Sequence, residues 1–195
     1  MRWLHIYLSM FGLAAVLFFS VTGLTLNHPS WFEGAERTAQ AVGRLDARWL
    51  HQDGSSASDA DPAAQVSKLE VVEQLRKTHG LRGALAEFRV DEEECLVAFK
   101  GPGYAADAFI DRSTGRYTLT ETSHGLVAVI NDLHKGRDSG PAWAIVIDVA
   151  AALMAVIALT GLVLLFYLKM RRVRGLVVVA LGTAVVAAVY WLGVP

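Results

Sequence analysis

The sequence holds one cysteine, Cys95, in 195 residues. A lone thiol closes no intrachain disulfide, so cysteine pairing cannot hold the fold together. Cys95 lies in the apolar run ECLVAF, where a buried small hydrophobe is expected. Excess charge of either sign is missing too. Lys and Arg total 18 against 19 Asp and Glu, for a net charge of −1, which removes the basic footprint of a nucleic-acid-binding chain. No glycine loop of phosphate-binding type and no nucleophile–base pair stands out. The acidic run Asp91–Glu94 lacks the spacing of a calcium loop and reads as a solvated turn.

Apolar residues are abundant: 53% of the chain is hydrophobic and the mean hydropathy is +0.37, values that suit a mixed membrane and soluble protein. A bilayer core takes about 20 mostly apolar residues in a helix. Three segments qualify: Leu4–Leu26, Ala142–Leu168 and Leu176–Val194. None contains Lys or Arg. The first exceeds a signal-peptide core in length and runs into LTLNHPSWF rather than a small-residue cleavage site, so an uncleaved anchor is expected.

Between the second and third spans lies Lys169-Met170-Arg171-Arg172-Val173-Arg174, a short link with four cations. By the positive-inside rule it is cytoplasmic. The N-terminus is then cytoplasmic, residues 27–141 are extracytoplasmic and the C-terminus is extracytoplasmic. The predicted organisation is a transmembrane helix over 1–26, an extracytoplasmic linker over 27–66, a small α+β domain over 67–122, an interfacial helix and loop over 123–141, a second transmembrane helix over 142–168, a basic loop over 169–175 and a third transmembrane helix over 176–195. The fold class is an α-helical integral membrane protein with three transmembrane helices and a small α+β extracytoplasmic domain.

Within that domain Gly43–Asp61, rich in Ser, Asp and Ala, reads as a solvated linker. The run SKLEVVEQLRKTHG has Ser67 to cap, Glu70 as a capping-box partner and Gly80 to stop it, with Leu69, Val72 and Leu75 at helical spacing. Strand-like runs follow at Ala86–Val90, Cys95–Lys100, Ala108–Ile110 and Arg116–Thr120, separated by DEEE, GPG and DRSTG. Leu126, Val127, Val129, Ile130 and Leu133 mark a short helix on the membrane face.

Spans one and two echo each other. Leu4-His5 precedes Thr22-Gly23-Leu24, and Leu133-His134 precedes Thr160-Gly161-Leu162; the second unit is longer by about the loop KGRDSGPAW. The two cross the membrane in opposite directions, as in an inverted repeat. Chance similarity between apolar helices is the competing explanation. Of six histidines, His51 and His79 sit in polar or helical surface contexts, and His5, His28, His124 and His134 lie at membrane boundaries. Neutral imidazole is a metal and haem-iron ligand. His28 and His134, both on the outer side, could clamp a haem, with Lys135 and Arg137 for its propionates; boundary histidines can equally be there for the amphipathic interface. Trp3, Trp31 and Trp143 suit interfacial anchoring. Asp148 is the acidic residue well inside a span, where carboxylates are functional candidates; with Thr22 and Thr160 it makes up the intramembrane polar set. A hydrogen bond to Thr22 or Ser20 and a proton or metal role, as in a transporter accessory, are both open for it.

The stretches LHIYLSMFGLAAVLFFSVTGLTLNHPSWF and LHKGRDSGPAWAIVIDVAAALMAVIALTGLVLLFYLKMRR resemble the PepSY-associated transmembrane helix family. Ser67–Thr122, ending in FIDRSTGRYT, resembles a degenerate PepSY domain. Larger relatives include inner-membrane reductases of iron–siderophore complexes, which carry electrons on histidine-ligated haem. The resemblance therefore implies a bacterial inner-membrane electron-transfer protein with haem b: His28 and His134 as ligands of the haem iron, His5 as an inner ligand, and action as a ferric reductase or as a subunit of one. With three spans and no inner histidine to pair with His5, a homodimer or another membrane subunit would complete the path, and an exported redox or substrate protein would take the electrons. The alternative is a non-enzymatic, membrane-anchored PepSY module that binds or regulates an exported protein. Lipid is the surrounding partner in either case, and no nucleic acid is expected.

Overall fold

The computed structural model describes residues 2–32, 34–50 and 66–195. His51 and most of the Gly43–Asp61 stretch lie outside the described residues. The chain divides into two compact units, one of Met1–Phe18 with Val146–Pro195 and one of Phe19–Ile145.

The first unit is helical. It contains the N-terminal part of α1 (Arg2–Asn27), most of α4 (Gly140–Tyr167) and α5 (Arg172–Gly193). All three helices are long and apolar enough to cross a membrane. Their side chains are largely exposed, as expected where lipid rather than protein solvates the apolar surface. Close approach of α1 to α4 depends on Gly12: a Cβ there would stand 2.7 Å from Ile157 Cδ1 and 3.1 Å from Leu153 Cδ2. Gly175 of α5 gives the same room to Leu165 of α4.

The second unit is built on a five-stranded antiparallel sheet in the order β1-β5-β4-β3-β2, from β1 (Arg37–Arg44), β2 (Ala84–Val90), β3 (Glu94–Gly101), β4 (Tyr104–Asp111) and β5 (Arg116–Ser123). Period-2 alternation sends one set of side chains to the core: Cys95, Val97 and Phe99 from β3, Ala106, Ala108 and Ile110 from β4, Tyr117 and Leu119 from β5. α2 (Lys68–His79) covers this face with Val71 and Leu75, one turn apart. Ser67 holds the N-cap position, and Gly80 ends the helix in the left-handed conformation, its N–H donating to the Arg76 carbonyl. α3 (Gly125–Lys135) follows the sheet and leads to α4.

Three expectations change. Residues 27–66 are not simply a linker, because 37–44 form β1 and pair along their whole length with β5. RTAQAVGR gives no apolar alternation because an edge strand needs little burial; only Ala41 and Gly43 are partly covered. Gly43 is required there, since a Cβ would collide with the Tyr117 ring. The strands are also longer than their apolar stretches, since ladder hydrogen bonds extend into polar flanks. Finally, Leu69 is 65% exposed, and Val71 takes its place on the buried face of α2.

Candidate functional site

Within the second unit, α3 carries His134 against the C-terminal part of α1. His134 Nδ1 lies 2.5 Å from Thr22 Oγ1, and Thr22 is 2% exposed. The Thr22 hydroxyl also donates to the Phe19 carbonyl at 3.4 Å. Which of Thr22 and His134 donates to the other follows the imidazole tautomer; in either case the contact holds the ring through Nδ1 and leaves Nε2 as the nitrogen outside it. The ring rests edge-on to Phe19, with centroids 5.1 Å apart, and over Gly23, where an added Cβ would come within 3.9 Å of Cε1. One helical turn earlier Asn131 Oδ1 meets the Thr25 hydroxyl at 2.6 Å.

The first unit holds the same arrangement with the roles exchanged. His5 Nδ1 lies 2.9 Å from Thr160 Oγ1, and the Thr160 hydroxyl donates to the Ile157 carbonyl at 2.9 Å. An added Cβ on Gly161 would stand 3.2 Å from His5 Cε1. Each Leu-His pair thus sits on the Thr-Gly pair of the other segment. The echo in sequence is therefore a repeated contact: threonine holds the ring by Nδ1 in both, while the glycine leaves needed space only at Gly161, since a Cβ on Gly23 would make ordinary contact with His134.

The remaining sequence-derived residues fall as follows. His28 closes α1 and stacks on Trp31, the rings 4.2 Å apart and 5° from parallel. Arg137 is engaged by Asp132, Nη2 to Oδ1 at 3.0 Å, while Lys135 is exposed. Asp148 is exposed on α4. His124 stands at the N-cap of α3, 3.7 Å from Glu36, and His79 Nε2 is 2.7 Å from the Tyr117 hydroxyl. Among the described residues, no group of three or more His, Cys, Asp or Glu gathers as a metal site.

A match over residues 1–195 to the family model described as PepSY_TM-like decides the family. The chain belongs to the PepSY_TM-like family. It is a membrane protein in which apolar helices accompany a PepSY-like sheet domain. Comparisons with curated proteins and with solved structures give no match.

Several residues of this PepSY_TM-like chain that matter were not legible as site residues. Asp132 binds the β3–β4 turn, accepting from Gly103 N–H at 2.9 Å through Oδ2, and it also holds Arg137. Asn131 and Phe19 complete the surroundings of His134. Asn131 and Phe19 lie one turn before His134 and Thr22, which was their sequence signal; Asp132 had none. Electrostatic perturbation is concentrated elsewhere. Burial pushes the Cys95 thiol up, and hydrogen bonds from Ser113 and the Thr114 N–H hold Asp111 below the ordinary carboxylate range.

Proposed function

We propose that the chain is a haem-binding electron-transfer protein of a bacterial inner membrane, acting as a subunit of a system that reduces ferric iron or a ferric chelate outside the cytoplasm. The observation that carries this reading is the state of His134. Its Nδ1 is held by Thr22, so Nε2 is the nitrogen that a haem iron would take up. Ligating histidines generally have their second nitrogen fixed in this way. His5 is prepared alike by Thr160.

On this reading His134 and His28 would hold the iron of an outer haem b, His5 would serve an inner one, and exposed Lys135 would meet a propionate. Arg137 supports the site indirectly through Asp132. The haem would supply one-electron redox chemistry when bound; Thr22 holds the His134 ring in place through Nδ1. The four cations of 169–174 support an orientation with that link in the cytoplasm and residues 27–141 outside. A single histidine at the inner level implies a second membrane subunit or a second copy.

The test is a visible spectrum of the detergent-purified protein from haem-replete cells, oxidised and dithionite-reduced. Low-spin bands that disappear in His134→Ala support the reading. A colourless wild-type protein overturns it.

One observation favours a second, non-enzymatic reading. Strand β1 is an edge strand of eight residues in unbroken register with β5. The opposite edge, β2, has a register shift between Leu85 and Glu87 and a charged flank in which Arg89 meets Glu87 and Asp91, devices that blunt an edge. An exported protein could add a strand to β1. Photocrosslinkers placed at Ala39 and, as a control, at Glu87 separate the cases: adducts from both positions or from neither remove this reading.

A further inference from the structure

The face of the sheet turned away from α2 is arranged in rows set by register. One row reads Arg44, Arg116, Asp111, Glu94: Arg44 is opposite Arg116, Glu94 is opposite Asp111, and the Ile110–Tyr117 pairing continues to place Asp111 beside Arg116. The next row reads Val42, Thr118, Phe109, Leu96. Val42 is 79% and Phe109 47% exposed. A groove of about 1010 Å³ opens over the first row and over Val42, Thr118 and Phe109 of the second.

Two like-charged pairs therefore stand side by side, basic on β1 and β5, acidic on β4 and β3. Like charges directly opposite on a sheet are destabilising. Among the described residues, none of the four makes an ion pair within 4.0 Å. Arg44 Nε reaches only the Thr114 carbonyl, at 2.9 Å. A lone anion on the arginines would meet Asp111, Glu94 and Glu93 in the same groove, so a simple anion fits poorly. A surface carrying the same two charge pairs in reverse order fits well, and the chain itself provides one.

We propose that this face is a homodimer interface, two sheets packing face to face about a two-fold axis that runs parallel to the strands between β4 and β5. Rotation about that axis lays β5 over the partner's β4 and β1 over the partner's β3. Arg116 then meets the partner's Asp111, Arg44 meets the partner's Glu94, and the apolar rows close over one another: Thr118 on the partner's Phe109, Val42 on the partner's Leu96. A two-fold axis perpendicular to the strands would set arginine against arginine in this row, so charge selects the first arrangement. Aligned packing of two such faces about 10 Å apart is an ordinary geometry for antiparallel sheets, and a two-fold contact uses the same patch on both copies.

The full chain in mild detergent, measured by light scattering over a dilution series, tests this. Wild type is expected to dimerise. Arg44→Glu and Glu94→Arg should each weaken the dimer roughly tenfold or more, and the double variant R44E/E94R should restore it, because the contact re-forms with its signs exchanged. The single variants should keep the wild-type circular dichroism spectrum, since both positions are exposed. A monomeric wild type overturns the proposal, as do single variants that dimerise like wild type or a folded double variant that stays monomeric. None of these outcomes depends on haem or on a strand added at β1.

Discussion

His134 and Thr22 are joined through Nδ1 and Oγ1 at 2.5 Å, and His5 and Thr160 repeat the joint at 2.9 Å. Histidine in one segment is held by threonine in the other, twice over. This reciprocity makes the threonines as informative as the histidines.

Replacing Thr22 by valine keeps the shape and removes the hydroxyl, leaving Nδ1 of the half-buried His134 ring without this partner. In apolar surroundings such bonds contribute about 0.5–2 kcal/mol. Thr22→Val should lower the melting temperature in detergent, and Thr22→Ser should restore it. Equal melting of Thr22→Val and wild type would show that the hydrogen bond contributes nothing.

Gly103 ties the sheet to α3. Its φ is +62°, its N–H donates to Asp132, and an added Cβ would stand 2.6 Å from Val129 Cγ2 and 3.0 Å from the Val129 nitrogen. Gly103→Ala combines left-handed strain with a backbone clash, for a cost of about 2 kcal/mol. Amide exchange in α3 should accelerate more than exchange in β5; uniform acceleration would mean that the turn does not anchor α3 specifically.

Arg112 is 5% exposed and was not singled out by any motif. Its Nη1 donates to the carbonyls of Asp91 and Glu92 at 2.9 and 3.1 Å, and its Nη2 to the Leu50 carbonyl at 3.5 Å. The guanidinium thus pins the β2–β3 turn to the segment after β1. Arg112→Ala should destabilise the sheet domain by about 2–4 kcal/mol, from several charged hydrogen bonds lost together. Arg112→Lys should recover only part, because an ammonium lacks the planar fork. Denaturant melts of the three proteins decide it.

Cys95 is fully buried, and burial raises its pKa. The native state therefore favours the neutral thiol. Its contribution to stability is complete below the unfolded pKa of about 8.5 and is lost as pH rises through the higher folded value. Native protein should resist maleimide at pH 7 and react on unfolding. Rapid native labelling would show that the core around β3 opens readily.

Much was legible from composition and pattern. The three spans needed only apolar length, because a bilayer accepts a helix on hydropathy and internal hydrogen bonding alone. α2 was visible through Ser67 at its N-cap position, although the expected side-chain cap bond does not form, and through its glycine stop; α3 was visible through its apolar spacing. β1 was not visible, because an edge strand is specified by the neighbour it pairs with rather than by its own alternation. The face of α2 was misread at Leu69 because Leu69, Val72 and Val71, Leu75 are both acceptable helical spacings, and only the position of the sheet chooses between them.

For the site, the sequence by itself determined which residues could take part: two Leu-His pairs, two Thr-Gly-Leu triplets and boundary histidines beside apolar helices. Local spacing is enough for that, since it depends only on the chain's own geometry. Tertiary structure decided the pairing. Which threonine meets which histidine, and that Arg44 stands opposite Arg116, are contacts between segments far apart in sequence. Helix packing and strand register set these contacts, and uniformly apolar helix faces and a polar edge strand carry no local pattern that encodes them.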